Sequence, residues 1–278
     1  MSKSGKVKIG LALGAGGARG ICHLGVLKAL KENGIEIYCV SGSSMGAVVG
    51  GFFAAGVTLE KMEKISRLAR QRLMTDFNID LRRGGPAGLF GAKRVMKLFT
   101  GILSELRIEE CPIKYRATGV DIENGELVIF DKGVLKDIMR ASMSIPAAFT
   151  PWEIEGRYYM DGGVLCRIPV ESARDMGADV VIAVDALGPI RTMPPPKGLL
   201  GIIERFQDIA NWQLSKDKVN TADILITPDM GDKSQFMFKD NDKAVEAGYK
   251  AAMEAMPEIK AYIRRDWRET RSADLACI

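Results

Sequence analysis

Gly42-Ser43-Ser44-Met45-Gly46 spells a G-x-S-x-G pentapeptide, and its flanks decide what it means. Ile35 to Ser41 reads as a short apolar strand and Ser44 to Ala55 as a helix, so the serine falls on a strand-to-helix turn. Small residues at 42 and 46 let that turn be sharp. Ser44 then projects from it, and the helix N-terminus favours negative charge developing beside the hydroxyl. Gly42, Gly46 and Gly50 recur at intervals of four, leaving one helix face bare for close packing. The chemistry on offer is nucleophilic attack by Ser44 on an acyl carbon; the plain alternative is a Gly-rich helix start with a capping serine.

A second glycine cluster, Gly14-Ala15-Gly16-Gly17-Ala18-Arg19-Gly20, joins a first strand (Val7 to Leu13) to a first helix (Ala18 to Asn33, stopped by Gly34). Such a loop turns backbone N–H groups toward one point and suits an anion. A dinucleotide phosphate is one such anion, but the strict G-x-G-x-x-G spacing fails because Arg19 takes the third position. Only a looser version ending at Gly20 fits. The second strand ends in Ser41-Gly42, without the acidic residue that a ribose requires. No Gly-Lys-Ser/Thr follows, which excludes a P-loop. The other anion is the oxyanion of a tetrahedral intermediate. In a parallel sheet the ends of strands one and two lie side by side, which would bring the Gly16 and Gly17 amides to Ser44. Gly14, Arg19 and Gly20 then frame the loop, Arg19 adding charge or holding it in place.

A serine nucleophile needs a base. His23 is the sole histidine, so a Ser-His-Asp triad would have to use it. It lies inside the first helix, where it reads equally as a packed residue bonding to nearby backbone. Cys22 and His23 are adjacent on that helix and point about 100° apart, which argues against a Cys-His pair. Without a histidine the base is a carboxylate, and Asp121, Asp161 and Asp185 all stand at strand ends or turns. Asp161 precedes Gly162-Gly163, where the backbone can turn closely. Asp185 ends the apolar run Val180–Val184, at the kind of strand end where α/β active sites form. Spacing does not separate these two. Whichever carboxylate serves would gain from partial desolvation, which raises its pKa toward working pH.

The elements that position these residues alternate. Strand, helix and strand between Val7 and Ser41 make a βαβ unit, hence parallel strands with a right-handed crossover. Tyr115 to Ile122 and Glu126 to Phe130 read as strands joined through Asn124-Gly125. Val134 to Ala141 reads as a helix, Val180–Val184 as a central strand and Asp223 to Thr227 as a further strand. Asn241 to Met256 and Lys260 to Arg268 read as two helices. Asp76 to Gly91 reads as a loop, and Gly188 to Gly201, with three consecutive prolines, as an extended connection. The expectation is one domain over residues 1–278: a three-layer α/β/α fold with a mainly parallel central sheet, and no internal repeat.

Composition sets bounds. Of 278 residues, 47% are hydrophobic and 27% charged, enough to bury a core without metal or disulfide. The net charge of +4 is too small to argue for nucleic acid. Residues 58–99 hold ten Lys or Arg against four Asp or Glu, either a solvated helix face or a surface for anionic lipid. The five scattered cysteines, the lack of a signal-peptide pattern and the lack of an 18-residue apolar run suggest a cytoplasmic protein with free thiols.

The loop Gly14–Gly20, the pentapeptide around Ser44, and Asp161-Gly162-Gly163, in that order, resemble the patatin-like phospholipase family. The block Ala141-Ser142-Met143-Ser144-Ile145-Pro146-Ala147-Ala148-Phe149-Thr150-Pro151 is similar to another block of that family. Cys22-His23-Leu24-Gly25-Val26-Leu27 also recurs there, in bacterial members and in the catalytic domain of neuropathy target esterase. The resemblance runs from about Lys8 to Asp185. It implies a patatin-like fold and a Ser-Asp dyad with Ser44 as nucleophile and Asp161 as base. It further implies an oxyanion hole at Gly16 and Gly17, and no metal or cofactor. It chooses Asp161 over Asp185 and makes His23 structural. The implied activity is hydrolysis of lipid acyl esters, of phospholipase A, lysophospholipase or carboxylesterase type; a regulatory or lipid-binding protein on the same scaffold is the alternative. The expected partner is a lipid or acyl ester, with peripheral contact at the inner membrane face and room for a homo-oligomer. Two segments are expected to form a lid or interfacial patch, or else ordinary core: Asp76 to Thr100 with Lys93 to Ile102, and Leu199 to Ile203.

Overall fold

The computed structural model describes residues 6–73, 93–196, 198–216, 221–231 and 240–264. The first half of the chain runs β1 (Ile9–Leu13), α1 (Cys22–Glu32), β2 (Ile37–Gly42), α2 (Met45–Ala54), α3 (Leu59–Leu73), α4 (Lys93–Leu103), β3 (Lys114–Asp121) and β4 (Leu127–Phe130). The second half runs α5 (Leu135–Ser142), β5 (Trp152–Ile154), β6 (Arg157–Asp161), α6 (Val170–Asp175), β7 (Val180–Val184), α7 (Gly198–Ser215), β8 (Ile224–Ile226) and α8 (Asn241–Arg264).

The strands form one sheet in the order β5-β6-β3-β2-β1-β7-β8, with β4 paired to β3. β3, β2, β1, β7 and β8 are mutually parallel, while β4, β6 and β5 add antiparallel pairs at one side. This is the expected mixed α/β architecture, a central sheet flanked by helices. The β5–β6 hairpin had no expectation attached. Its two-residue connection, Glu155-Gly156, takes positive φ at both positions (51° and 80°), as a twist-matched hairpin turn requires. Glutamate is an unusual first residue for that turn, so the sequence carried only half of the usual signal.

The two faces of the sheet differ. Ile9, Leu11 and Leu13 of β1, with Val180, Ile182 and Val184 of β7, point into a large core shared with α1, α2, α5 and α8. Ala12, Cys39, Val181 and Ala183 point the other way, to a thin layer under α6. Small residues let α6 and the turn after it lie close: a side chain at Gly10 would meet Ala173 Cβ of α6 at 3.4 Å and Ala178 Cβ, just past it, at 2.6 Å. On the thick face α1 and α8 cross backbone to backbone. A side chain at Gly25 would fall on the Val245 carbonyl, and one at Gly248 on that of Cys22.

Two expectations change. The C-terminal helices are one: α8 runs through Pro257 as far as Arg264. Proline removes one backbone bond there, but the buried stripe Ala252, Met256 and Ile259 holds the helix to the core across it. Residues 265–268 of the expected second helix lie outside the described residues. The extended connection ends earlier than expected, because α7 starts at Gly198 and takes in the apolar run 199–203. The expected loop Asp76 to Gly91 lies outside the described residues, whereas the apolar side of α4 is core, with Phe99 set edge-on to Phe52 at 5.4 Å. Cys22, Cys39, Cys111 and Cys166 are free thiols.

Candidate active site

β1 and β2 end in register, Leu13 opposite Gly42. Directly beyond, the Ser43 N–H donates to the Leu13 carbonyl at 3.0 Å. The start of α2 is pressed against the same strand end: a Cβ at Gly46 would lie 2.1 Å from the Leu13 oxygen. Only glycine fits there, so the chain must reverse between Gly42 and Gly46 in the least possible space. Ser44 absorbs the turn, with φ 54° and ψ −121°, a conformation strained for any residue with a side chain.

The surroundings hold that strain in place. The Ser44 N–H donates to Ser142 Oγ at 3.0 Å, and the Ser44 carbonyl accepts from Ala47 and Val48 in the first turn of α2. The side chain does not cap the helix. Its Oγ donates to Asp161 Oδ2 at 2.5 Å. Both residues are buried.

Asp161 ends β6 opposite Gly119 of β3, and its N–H donates to the Ser144 carbonyl at 3.0 Å. Oδ1 accepts the Gly163 N–H at 2.7 Å, which leaves Oδ2 facing Ser44. The two glycines are sterically required. A Cβ at Gly162 would collide with Thr118 Oγ1, and one at Gly163 with Ala15 Cβ at 2.7 Å. Burial raises the Asp161 pKa to about 7, opposed by the hydrogen bonds from Ser44 and Gly163.

The glycine loop adjoins this pair. Gly14 and Ala15 donate to the carbonyls of Val184 and Arg167 at 3.0 and 2.8 Å, which pins the loop's first residues. Gly17 takes a φ of 50°, and the Arg19 N–H returns to the Gly16 carbonyl at 2.9 Å. A Cβ at Gly20 would lie 2.6 Å from Met45 Cβ, so the loop's far end packs against the residue that follows Ser44. Among the described residues, the Gly16 and Gly17 amides donate to no protein acceptor. The structure thus brings together Gly14, Gly20, Gly42, Ser44, Gly46 and Asp161, the glycine loop beside the serine.

The rival bases are otherwise engaged. Asp185 is buried against Arg167, whose Nε donates to Oδ1 at 3.0 Å and Nη2 to Oδ2 at 2.7 Å. It also accepts the N–H groups of Leu187 and Gly188. Asp121 pairs with Arg157 at 2.9 Å and accepts the Glu123 N–H. His23 is fully buried and donates from Nε2 to the Gly14 carbonyl at 2.8 Å. Burial lowers its pKa to about 4, so it is neutral at ordinary pH and serves as a strut for the glycine loop.

Three supporting residues escaped the sequence reading. Ser142 lay inside a recognised block without a role. Arg140, fully buried, donates to Ser144 Oγ at 2.6 Å and to the Thr150 carbonyl at 2.8 Å, tying down the segment that carries the Ser144 carbonyl. Arg167 links Asp185 to the loop through its carbonyl. Burial of an arginine is a tertiary event, and no spacing rule announces it.

An apolar cavity of about 60 Å³ lies next to the serine turn, lined by Ile21, Met45, Val48, Phe52, Phe99 and Met143 among others. Among the described residues no cluster of three or more His, Cys, Asp or Glu could hold a metal ion, and no helix is long and apolar enough to cross a membrane.

Fold and site together define an α/β protein with a serine on a strand-to-helix turn and an aspartate on a neighbouring strand. Residues 11–174 match the family model described as patatin-like phospholipase, and the chain belongs to that family. An NTE family protein of Mycobacterium tuberculosis is 37% identical over 196 residues, 69% of this chain and 54% of that one. The lysophospholipase nte1 of Neurospora crassa is 26% identical over 91% of this chain, which corresponds to 18% of its own length. The chain therefore spans about half the length of the mycobacterial relatives it matches. Among solved structures, VipD from Legionella pneumophila shares the fold with a TM-score of 0.55 at 14% identity, over 91% of this chain and 67% of VipD.

Proposed function

We propose that the protein is a serine hydrolase of lipid acyl esters working through a Ser44–Asp161 dyad. One observation carries the reading: the hydroxyl of a conformationally strained, buried serine donates to a buried carboxylate at 2.5 Å. Family membership supports the lipid substrate.

In the proposed reaction Asp161 takes the Ser44 proton as Oγ attacks the acyl carbonyl carbon. The oxyanion formed lies at the N-terminus of α2 and is held by the Gly16 and Gly17 amides. Collapse expels the alcohol, which receives the proton from Asp161 and leaves Ser44 acylated. Asp161 then deprotonates a water molecule as it attacks the acyl carbon, giving a second oxyanion in the same place. Its collapse breaks the bond to Ser44 Oγ, which takes the proton back from Asp161, and frees the fatty acid. A carboxylate with a pKa near 7 is matched to both roles, base and acid. This cycle accommodates phospholipase A, lysophospholipase and simple esterase substrates alike, and a single domain over the whole chain is part of the proposal.

The test is hydrolysis of a short p-nitrophenyl acyl ester, then of lysophospholipid, by the parent protein and by Ser44→Ala. Turnover by the parent alone supports the reading. Equal rates in both would remove Ser44 as nucleophile, and inactivity of the parent on both ester and lipid would favour a regulatory protein on a hydrolase scaffold.

A further inference from the structure

Helix α7 carries an apolar stripe that faces solvent. Ile202, Phe206 and Ile209 follow one another at intervals of four and three, hence on one side of the helix, and are 55%, 69% and 45% exposed. Leaving a phenylalanine so exposed is unfavourable in water unless something covers it. The other side of α7 faces the protein. Ser215 is buried, and the Trp212 ring stacks on the Arg167 guanidinium with 5.4 Å to the centroid. The helix also packs on the turn Gly162–Val164 that follows Asp161. Through Arg167, which holds Asp185 and Ala15, α7 rests on the end of the sheet where Ser44 lies.

Cations flank the stripe. A cavity of about 400 Å³ between α7 and the segment after β7 is lined by Arg19, Arg167, Arg191, Arg205, Asp208 and Asp229 among others, four guanidinium groups to two carboxylates. Arg191 is half exposed and pairs with Asp229, while Arg205 donates to the Arg191 carbonyl. Met193, 51% exposed, extends the apolar surface at this cavity. Apolar side chains bordered by arginines complement a bilayer that carries anionic headgroups. A second copy of the chain fits less well. A stable dimer buries about 800 Å² per partner, and a few half-exposed side chains fall well short of that. A two-fold interface here would also set arginines against arginines.

We infer that α7 is a membrane-docking helix: Ile202, Phe206 and Ile209 enter the interfacial layer of an anionic phospholipid surface, and Arg191 and Arg205 meet its phosphates. The choice of a lipid surface rests on the acyl-ester reading of the Ser44 site. Docking is measured without turnover, so the two ideas fail separately.

The experiment uses the full chain carrying Ser44→Ala, floated with vesicles of phosphatidylcholine alone or mixed with phosphatidylglycerol. The expected result is binding to the mixed vesicles, weakened at least tenfold by Phe206→Asp and about fivefold by Arg205→Ala. Leu127→Asp, at a 41% exposed apolar position on β4, is expected to bind as the parent does. Circular dichroism melting confirms that each variant folds. If Phe206→Asp does not, Phe206→Trp in the mixed vesicles is expected to show added fluorescence quenched by brominated acyl chains. Absence of flotation, undiminished binding by Phe206→Asp, or an unquenched Phe206→Trp would overturn the inference. So would a size-exclusion shift from oligomer to monomer on Phe206→Asp in a protein that binds no vesicles, which would identify a second copy as the occupant.

Discussion

Ser44 and Asp161 meet at 2.5 Å although 117 residues separate them in the chain. The sheet register accounts for the meeting. Gly42 at the end of β2 pairs with Ala117 of β3, and Asp161 at the end of β6 pairs with Gly119, two residues further along the same strand. The serine overshoots β2 by two residues and the aspartate lies level with that overshoot. The strand between them offers no side chain at Gly119, where a Cβ would be filled by the Phe130 ring.

Asp161→Asn removes the proposed proton acceptor while keeping the shape. Ester turnover is expected to fall by about a thousandfold or more, at the upper end of what a positioned general base contributes. Single-turnover kinetics with p-nitrophenyl ester would check this, and a rate within tenfold of the parent would mean that the base lies elsewhere.

The pH profile has a defined sign. In the proposed mechanism Asp161 acts as a base only when ionised, and its pKa is raised to about 7. The rate constant kcat/KM should therefore rise through a midpoint near pH 7 and level off above it. His23, with a pKa lowered to about 4, contributes no limb in that range. His23→Gln should leave the midpoint unchanged.

Stability should move the opposite way. In the unfolded chain Asp161 ionises near its ordinary value of 3.8, and in the folded protein near 7, so between these values the folded state binds more protons. Stability then falls as pH rises through this window, by roughly 3 kcal/mol from pH 5 to pH 8 for this group alone. Asp161→Asn carries no such penalty. Its melting temperature is expected to exceed the parent's at pH 8 by several degrees, with the gap narrowing at pH 5, as differential scanning calorimetry would show.

Arg167 and Asp185 form a buried pair, so neutralising one strands the other. Asp185→Leu or Arg167→Leu alone should cost about 3–5 kcal/mol, and the double substitution appreciably less than the sum of the two. Chemical denaturation of the three variants would measure the coupling. Additive losses would refute the pair as a unit.

Ser142→Ala leaves the Ser44 N–H without its acceptor. The loss of a hydrogen bond to a strained residue is expected to lower kcat by about tenfold and stability by about 1–2 kcal/mol. Ser142→Thr, which keeps the hydroxyl, should recover much of the rate if the role is positional.

Much of the fold was legible because its signals are local. Apolar runs marked β1, β2 and β7, the first two ending at glycine, and Asn124-Gly125 marked the β3–β4 turn. Boundaries failed where tertiary burial overrode a local signal, as at Pro257 inside α8. They failed again at Gly198, where a run read as extended belongs to a helix.

The sequence by itself determined the residue types that chemistry at a strand-to-helix turn requires: Ser44 flanked by Gly42 and Gly46, a glycine loop after the first strand, and Asp161 ahead of two glycines. These depend on steric demands that only small residues meet, so they are written in short spans. Spacing alone did not separate Asp161 from Asp185, and only the tertiary structure shows which carboxylate faces Ser44. Asp185 is neutralised by Arg167, Asp121 turns to Arg157, and Asp161 alone is left buried against the serine. Pairing of charges between distant segments depends on register across the sheet, and no short span of sequence encodes it.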